Sequence, residues 1–200
     1  MVPSENIDRM NAFERALKRM FDFLGSAVLL ILLSPCFLII YAIYKITGCG
    51  NVFYKQERIG LGGKPFYIYK FRTMVKEAEC DGHPMLEQPD DSRLLKYGKL
   101  MRTKHIDELP QLLNVLKGDM SFVGYRPERQ YFIDQIMQYN PNYALLFVSR
   151  PGVTSSATIY NGYTDNMDKM LKRLDYDLDY LRHRTLLLDL KIIIETIIHI

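Results

Sequence analysis

Adjacent carboxylates followed by two arginine-proline turns are the part of this chain best suited to chemistry. Asp107 and Glu108 open the run His105-Ile-Asp-Glu-Leu-Pro-Gln-Leu-Leu-Asn-Val-Leu-Lys-Gly118. Leu109, Leu112, Leu113 and Leu116 recur at helical spacing, Pro110 suits a first turn and Gly118 suits an exit. The pattern predicts a helix starting near Asp107, with both carboxylates at its positive end. Two readings fit. In one, Asp107 caps the helix and Glu108 compensates its dipole. In the other, one carboxylate binds Mg²⁺ while its neighbour attacks phosphorus, both kept ionised by the helix terminus. Arg126 is followed by the stiff Pro127, and Arg150 by Pro151-Gly152. A guanidinium presented rigidly can grip phosphate oxygens with two hydrogen bonds, although a surface ion pair would use the same residues. Two such turns after a carboxylate pair point to an anionic substrate.

Other acidic and basic patterns carry less. Lys96, Lys99 and Arg102 lie three apart on a predicted helix from Arg93 to Arg102, which suits either a solvated face or a phosphate-facing one. Asp175, Asp177 and Asp179 superficially resemble a DxD metal site, but in a helix they point in different directions and read as exposed residues. Gly63-Lys64 is no phosphate loop, since Pro65 stands where Ser or Thr is required. Cys36, Cys49 and Cys80 form no CxxC pair, and His83, His105, His183 and His199 are scattered, so neither a disulfide framework nor a zinc site is expected.

The elements that must position these groups begin with an apolar segment. From Phe23 to Tyr44 no residue is charged, and as a helix this run would extend about 33 Å, the depth of a bilayer core. Pro35 interrupts it, with the Ser34 hydroxyl able to satisfy a freed carbonyl. Arg9, Arg15, Lys18 and Arg19 precede it, and Lys45, Lys55, Arg58 and Lys64 follow. A spanning helix should have asymmetric flanks. The symmetry favours a re-entrant helix-break-helix with both ends cytoplasmic over a kinked transmembrane helix or a buried core helix. The expected division is residues 1–48 as this membrane-associated unit and 49–200 as a compact cytoplasmic domain. Asn51 to Lys55 and Pro65 to Phe71 read as a β-hairpin turning through Gly60, Gly62 and Gly63. Ala78 to Ser92 reads as a surface loop. Leu186 to Ile200 is a helix too apolar for a small domain's surface, fitted to either the membrane interface or the core. The fold class expected is α+β, mainly helical. With 48% hydrophobic and 24% charged residues in 200, one core is affordable and a second domain is not. A net charge of +3 is too small for a nucleic-acid partner but suits an anionic membrane face.

In order along the chain, the basic amino end, Ser34-Pro35, Tyr69-Lys70-Phe71-Arg72-Thr73-Met74, Asp107-Glu108-Leu109-Pro110-Gln111, Gly118-Asp119-Met120-Ser121-Phe122-Val123-Gly124, Arg126-Pro127, Arg150-Pro151-Gly152 and Leu188-Asp189-Leu190-Lys191 resemble the bacterial sugar transferase family. The chain looks most like its small monotopic polyprenyl-phosphate phosphoglycosyl transferases, from about Phe13 to Ile194. The resemblance implies transfer of a sugar-1-phosphate from a nucleotide diphosphosugar, a UDP-sugar by expectation, to polyprenyl (undecaprenyl) phosphate, with Mg²⁺ and a covalent phosphosugar-aspartate intermediate. It implies Asp107 as nucleophile, Glu108 as Mg²⁺ ligand, and Lys70, Arg102, Arg126 and Arg150 around the phosphates. It also implies membrane lipid as a partner and a place at the bacterial inner membrane, with the catalytic domain on the cytoplasmic face; a homodimer is left open. Tyr125 and Thr154-Ser155-Ser156-Ala157-Thr158 depart from the commoner family pattern, which puts the sugar in doubt rather than the chemistry. Two rivals are a membrane-anchored scaffold without catalysis and a glycosyltransferase that moves the sugar without its phosphate.

Overall fold

The computed structural model describes residues 7–47, 50–75, 91–162, 164 and 166–199. The proposed boundary at 48/49, Cys80, His83 and most of the loop from Ala78 lie outside the described residues. What is described is a mainly helical α+β fold with one long apolar amino-terminal helix.

That helix, α1, runs Ala12–Thr47 with Pro35 inside it. Asn11 caps its first turn reciprocally: its side chain accepts the Glu14 N–H at 2.9 Å, while Glu14 accepts the Asn11 N–H at 3.0 Å. Near the proline, Ser34 Oγ donates to the Ile31 carbonyl at 2.8 Å. The helix is long and apolar enough to cross a membrane, yet only 6% of its most apolar stretch is buried, which removes the soluble-core alternative. Ile31, Leu32, Leu38 and Ile39, on either side of the proline, are all at least 60% exposed.

Both arms of α1 nevertheless dock on the rest of the protein. In the first arm, Lys18 Nζ meets Asp189 at 2.5 Å, and Arg19 donates to the carbonyls of Val115 and Leu116 at 2.6 and 2.8 Å. Asp22 accepts from Ser121 Oγ and the Phe122 N–H. In the second arm, the Tyr44 hydroxyl donates to the Arg72 carbonyl, and Phe37 and Ile40 pack with Phe71 and Met101.

Strands β1 (Phe53–Ile59) and β2 (Pro65–Phe71) form the expected antiparallel hairpin. β1 extends four residues beyond the predicted end at Lys55, because Gln56, Glu57 and Arg58 continue the in-out alternation despite being polar or charged. Helix α2 is shorter than predicted, Gly98–Thr103. Residues 91–97 turn back instead, so that Leu95 can donate to the Thr73 carbonyl at 2.8 Å. Gly98 fits there because a Cβ would stand 2.3 Å from that same carbonyl oxygen.

Helix α3 (Gln111–Lys117) ends where Gly118 takes φ 94°, and the Arg19 guanidinium covers its last carbonyls. A second, parallel pair, β3 (Ser121–Val123) with β4 (Gly152–Thr154), was not anticipated. It depends on close backbone approach: a Cβ on Gly152 would lie 2.1 Å from the Gly124 nitrogen. Helices α4 (Gln130–Tyr139) and α6 (Met167–His183) enclose the main core around Ile133, Leu146, Leu174 and Leu181. The Thr/Ser-rich stretch becomes β4 and α5 (Ser156–Asn161), capped by the Ser155 side chain. Helix α7 (Leu186–His199) buries Asp189 and Ile192. Its opposite face, Leu187, Leu190, Ile194, Ile197 and Ile198, is exposed, so one face packs in the core with Val123 and Tyr180 while the other is left open.

Candidate active site

The carboxylate pair does not cap α3. Ile106–Glu108 form a separate 3-10 turn one turn ahead of it, and neither carboxylate makes a capping bond there. Pro110, not Asp107, occupies the α3 cap position. His105 enters the turn with φ 50°, a left-handed conformation unusual for a non-glycine residue. Stored strain at the entrance to an acidic turn accords with a functional site rather than a structural one.

Two elements converge on Glu108. From β2, Lys70 Nζ donates to Oε1 at 2.6 Å. From the loop after β3, Arg126 Nη2 lies 3.8 Å from the same oxygen. The side chain is only 13% exposed, and burial alone would raise its pKa. Lys70 and Arg126 outweigh that and hold it at about 2.

Asp107 behaves differently. It is 5% exposed, and no side-chain hydrogen bond reaches it among the described residues. Burial, reinforced by the Glu108 charge, pushes its pKa up against the opposing fields of Lys70, Arg102 and His105. The expectation that a helix terminus would lower it fails because the helix begins four residues later and desolvation dominates. Two neighbouring carboxylates are thus driven apart. One is firmly ionised and the other is buried, poorly solvated and uncommitted, the state suited to a nucleophile.

Arg102 is held by its Nε–H to Thr73 Oγ1 at 2.8 Å, at the end of β2, and its charge acts on Asp107. Lys70, Arg102 and Arg126 therefore gather around the pair. Arg150 does not join them: its Nε donates to the Gly118 carbonyl at 2.8 Å, near Arg19 and Asp22. Among the aspartates of α6, Asp175 and Asp179 are exposed as expected, but Asp177 is 3% exposed. That corrects the reading of all three as surface residues, because Asp177 lies on the same helical stripe as Met170, Leu174 and Leu181.

Sequence reasoning missed Asn114. It is fully buried, accepts the Tyr69 N–H at 3.0 Å and donates to the Tyr67 carbonyl at 2.7 Å, fixing β2 against α3 and so Lys70 against Glu108. An asparagine amid Leu112, Leu113, Val115 and Leu116 was the available signal, since a buried amide needs partners.

Hard oxygen donors are what Mg²⁺ takes, and it is commonly held by one or two carboxylates with water and substrate phosphate. Groups of three or more metal-ligating side chains are absent among the described residues. Glu108 and Asp107 beside Lys70, Arg102 and Arg126 fit such a partial site and would not suit a metal bound by protein alone.

A family model described as bacterial sugar transferase matches residues 13–200. The chain belongs to that family. It is 40% identical over 190 residues to the UDP-glucose:undecaprenyl-phosphate glucose-1-phosphate transferase of Klebsiella pneumoniae, covering 94% of the chain and 41% of the relative. It is 38% identical over 181 residues to the UDP-N-acetylgalactosamine-undecaprenyl-phosphate N-acetylgalactosaminephosphotransferase of Aeromonas hydrophila, covering 90% and 43%. The chain thus spans about two fifths of the length of these two curated relatives. The uncharacterized sugar transferase EpsL of Bacillus subtilis is closer in size, 42% identical over 181 residues that cover 90% of the chain and 85% of the relative.

Proposed function

We propose that the protein transfers a sugar-1-phosphate from a UDP-sugar to undecaprenyl phosphate, giving polyprenyl-diphosphosugar and UMP. The observation that carries this is the buried, uncommitted Asp107 beside a Glu108 held anionic by Lys70 and Arg126. Burying a carboxylate pair costs stability, and a scaffold would gain nothing in return. The relatives named for sugar-phosphate transfer to the undecaprenyl carrier support the substrate class. They name different sugars, glucose and N-acetylgalactosamine, so the class does not extend to one sugar.

In this reading an Asp107 carboxylate oxygen attacks the β-phosphorus of the donor. The bond from that phosphorus to the bridging oxygen breaks, and UMP leaves with the electron pair. Arg102, Arg126 and Lys70 offset the negative charge that gathers when a carboxylate meets a diphosphate. Mg²⁺ held on Glu108 and donor oxygens would supply further neutralisation of the leaving group. An oxygen of undecaprenyl phosphate then attacks the same phosphorus, breaking its bond to Asp107 and restoring the carboxylate. A phosphate monoester, with second pKa about 6, is already largely dianionic at neutral pH and needs no dedicated base. One phosphoanhydride replaces another, so no added energy source is required.

The site is read as lying at headgroup height on the cytoplasmic face of the bacterial inner membrane, with α1 re-entrant. Two observations support this. Both arms of α1 are tied to the same folded body, so both lie on whichever side of the membrane that body occupies. The exposed stripe of α7 adds a second apolar surface, fitted to the interface.

Intact-protein mass spectrometry after incubation with UDP-glucose or UDP-N-acetylgalactosamine, without acceptor, tests the reading. About one UMP per active site should be released and the protein should gain one phosphosugar, and Asp107→Asn should do neither. An adduct on another residue, or undiminished turnover by Asp107→Asn, would mean the nucleophile is misassigned.

A further inference from the structure

The turn that presents Arg126 is bound at three consecutive residues by groups with no part in the chemistry above. Glu128 is 8% exposed and is gripped from two directions. Arg58 of β1 donates Nη1 to Glu128 Oε2 at 3.0 Å and to the Pro127 carbonyl at 3.1 Å. Arg173 of α6 donates Nη1 to Glu128 Oε1 at 2.9 Å. The Glu128 carbonyl accepts the Ile59 N–H at 3.1 Å. From the far side, buried Asp177 accepts the backbone N–H of Arg126.

This is a poor way to build stability. Burying Arg58, Arg173, Glu128 and Asp177 together costs desolvation that apolar side chains of similar volume would avoid. The cluster is not even fully satisfied, since Arg58 Nε, Arg173 Nε, Asp177 Oδ1 and the hydroxyls of Tyr125 and Tyr143 are buried without a protein hydrogen-bond partner among the described residues. What it delivers is geometry. A charged fork between β1 and α6 fixes the turn in a way an oily contact would not, because each hydrogen bond has a direction.

We propose that Glu128, held by Arg58 and Arg173 and aided by Asp177, is a positioning residue that sets the Arg126 guanidinium beside Glu108 and the donor phosphates. This rests on the reading of Arg126 as a phosphate-facing group. A misplacement of about 1 Å at a reacting site can cost on the order of a hundredfold in rate, so the effect of losing the fork should pass through Arg126.

A double-mutant cycle tests it, with UMP release from UDP-glucose or UDP-N-acetylgalactosamine and undecaprenyl phosphate as readout. Glu128→Ala should lower kcat/KM about 10- to 100-fold in the otherwise unchanged protein but less than about threefold in the Arg126→Ala background. Its thermal midpoint should shift equally in both backgrounds, and Glu128→Gln, which keeps acceptors for the fork, should recover part of the activity. Activity losses that multiply independently of Arg126 would reduce Glu128 to a structural residue and overturn the proposal, as would full turnover by Glu128→Ala. Should Glu128→Ala fail to fold, Arg173→Gln removes one arm of the fork and enters the same cycle. Full turnover by Arg126→Ala alone would instead strike the underlying reading of Arg126.

Discussion

Lys70 is the charge on which the carboxylate pair most depends. Its Nζ is 2.6 Å from Glu108 Oε1, and it heads the fields that oppose burial at both Glu108 and Asp107. Lys70→Met keeps most of the stem and deletes the charge. Two unit charges about 4 Å apart near a protein surface interact by about 4 kcal/mol, equivalent to about three pKa units. The pair is 20% and 13% exposed, and solvent screening reduces that to roughly half. Glu108 would then climb from about 2 into the ordinary carboxylate range. Asp107, already raised by burial, would rise further, because Lys70 is the first of the charges that oppose that burial. The sign follows from the nucleophile: Asp107 attacks only as the anion, and loss of a nearby cation disfavours the anion. The acid limb of kcat/KM against pH should therefore move to higher pH in Lys70→Met, measured by UMP release across a buffer series at constant ionic strength. Acid limbs that superimpose, or a shift to lower pH, would refute the electrostatic account of the pair.

Three further outcomes follow from the same structure. Glu108→Gln should lose most turnover and EDTA should abolish activity of the unmutated protein; full activity in chelator would remove Glu108 from metal binding. Pro35→Ala restores the helix hydrogen bond the proline deletes and should shift some molecules to a spanning topology. A membrane-impermeant maleimide on a cysteine placed at Ser4 reads this in intact cells, and clear outside labelling of the protein with Pro35 in place would sink the re-entrant reading. Asn114→Leu strands the Tyr69 N–H and the Tyr67 carbonyl, and should cost about 2–4 kcal/mol in denaturant unfolding; a change below about 0.5 kcal/mol would show that α3 and β2 are joined by other means.

Much of this was legible because it rested on strong local signals. An uncharged run from Phe23 to Tyr44 marked an apolar helical segment, although the helix continues through Pro35 where a break was expected, and Gly118 marked the end of α3 through its positive φ. The second strand of the hairpin matched its predicted bounds, Pro65–Phe71. What escaped depended on partners distant in sequence. The β3–β4 pair is three residues on each side, too short for alternation to be visible, and it is made by the close approach of Gly124 and Gly152. The 3-10 turn was hidden because Leu109 through Leu116 keep helical spacing whether the helix starts at Asp107 or Gln111. Asp177 could have been placed. Met170, Leu174, Leu178 and Leu181 define a buried stripe by helical period, and position 177 falls within it. The alternation of aspartates drew attention away from that period.

The two arms of α1 do more than anchor the chain, because each grips an element that carries part of the site. The first arm closes the end of α3 through Arg19 and holds the start of β3 through Asp22. β3 leads directly into the Arg126 turn, and α3 follows the turn that bears Asp107 and Glu108. The second arm meets Phe71 and Arg72, next to Lys70. Both arms therefore set the position of the cationic groups relative to the exposed apolar stretch around Pro35. For a substrate whose hydrocarbon tail stays in lipid, the acceptor phosphate can vary little in height. In the proposed re-entrant arrangement, fixing Asp107 at that height through the helix that would enter the lipid would replace a three-dimensional search with one confined to the membrane surface. It also explains why a fold of this size puts so many buried polar contacts on α1, where an anchor alone would need only apolar ones.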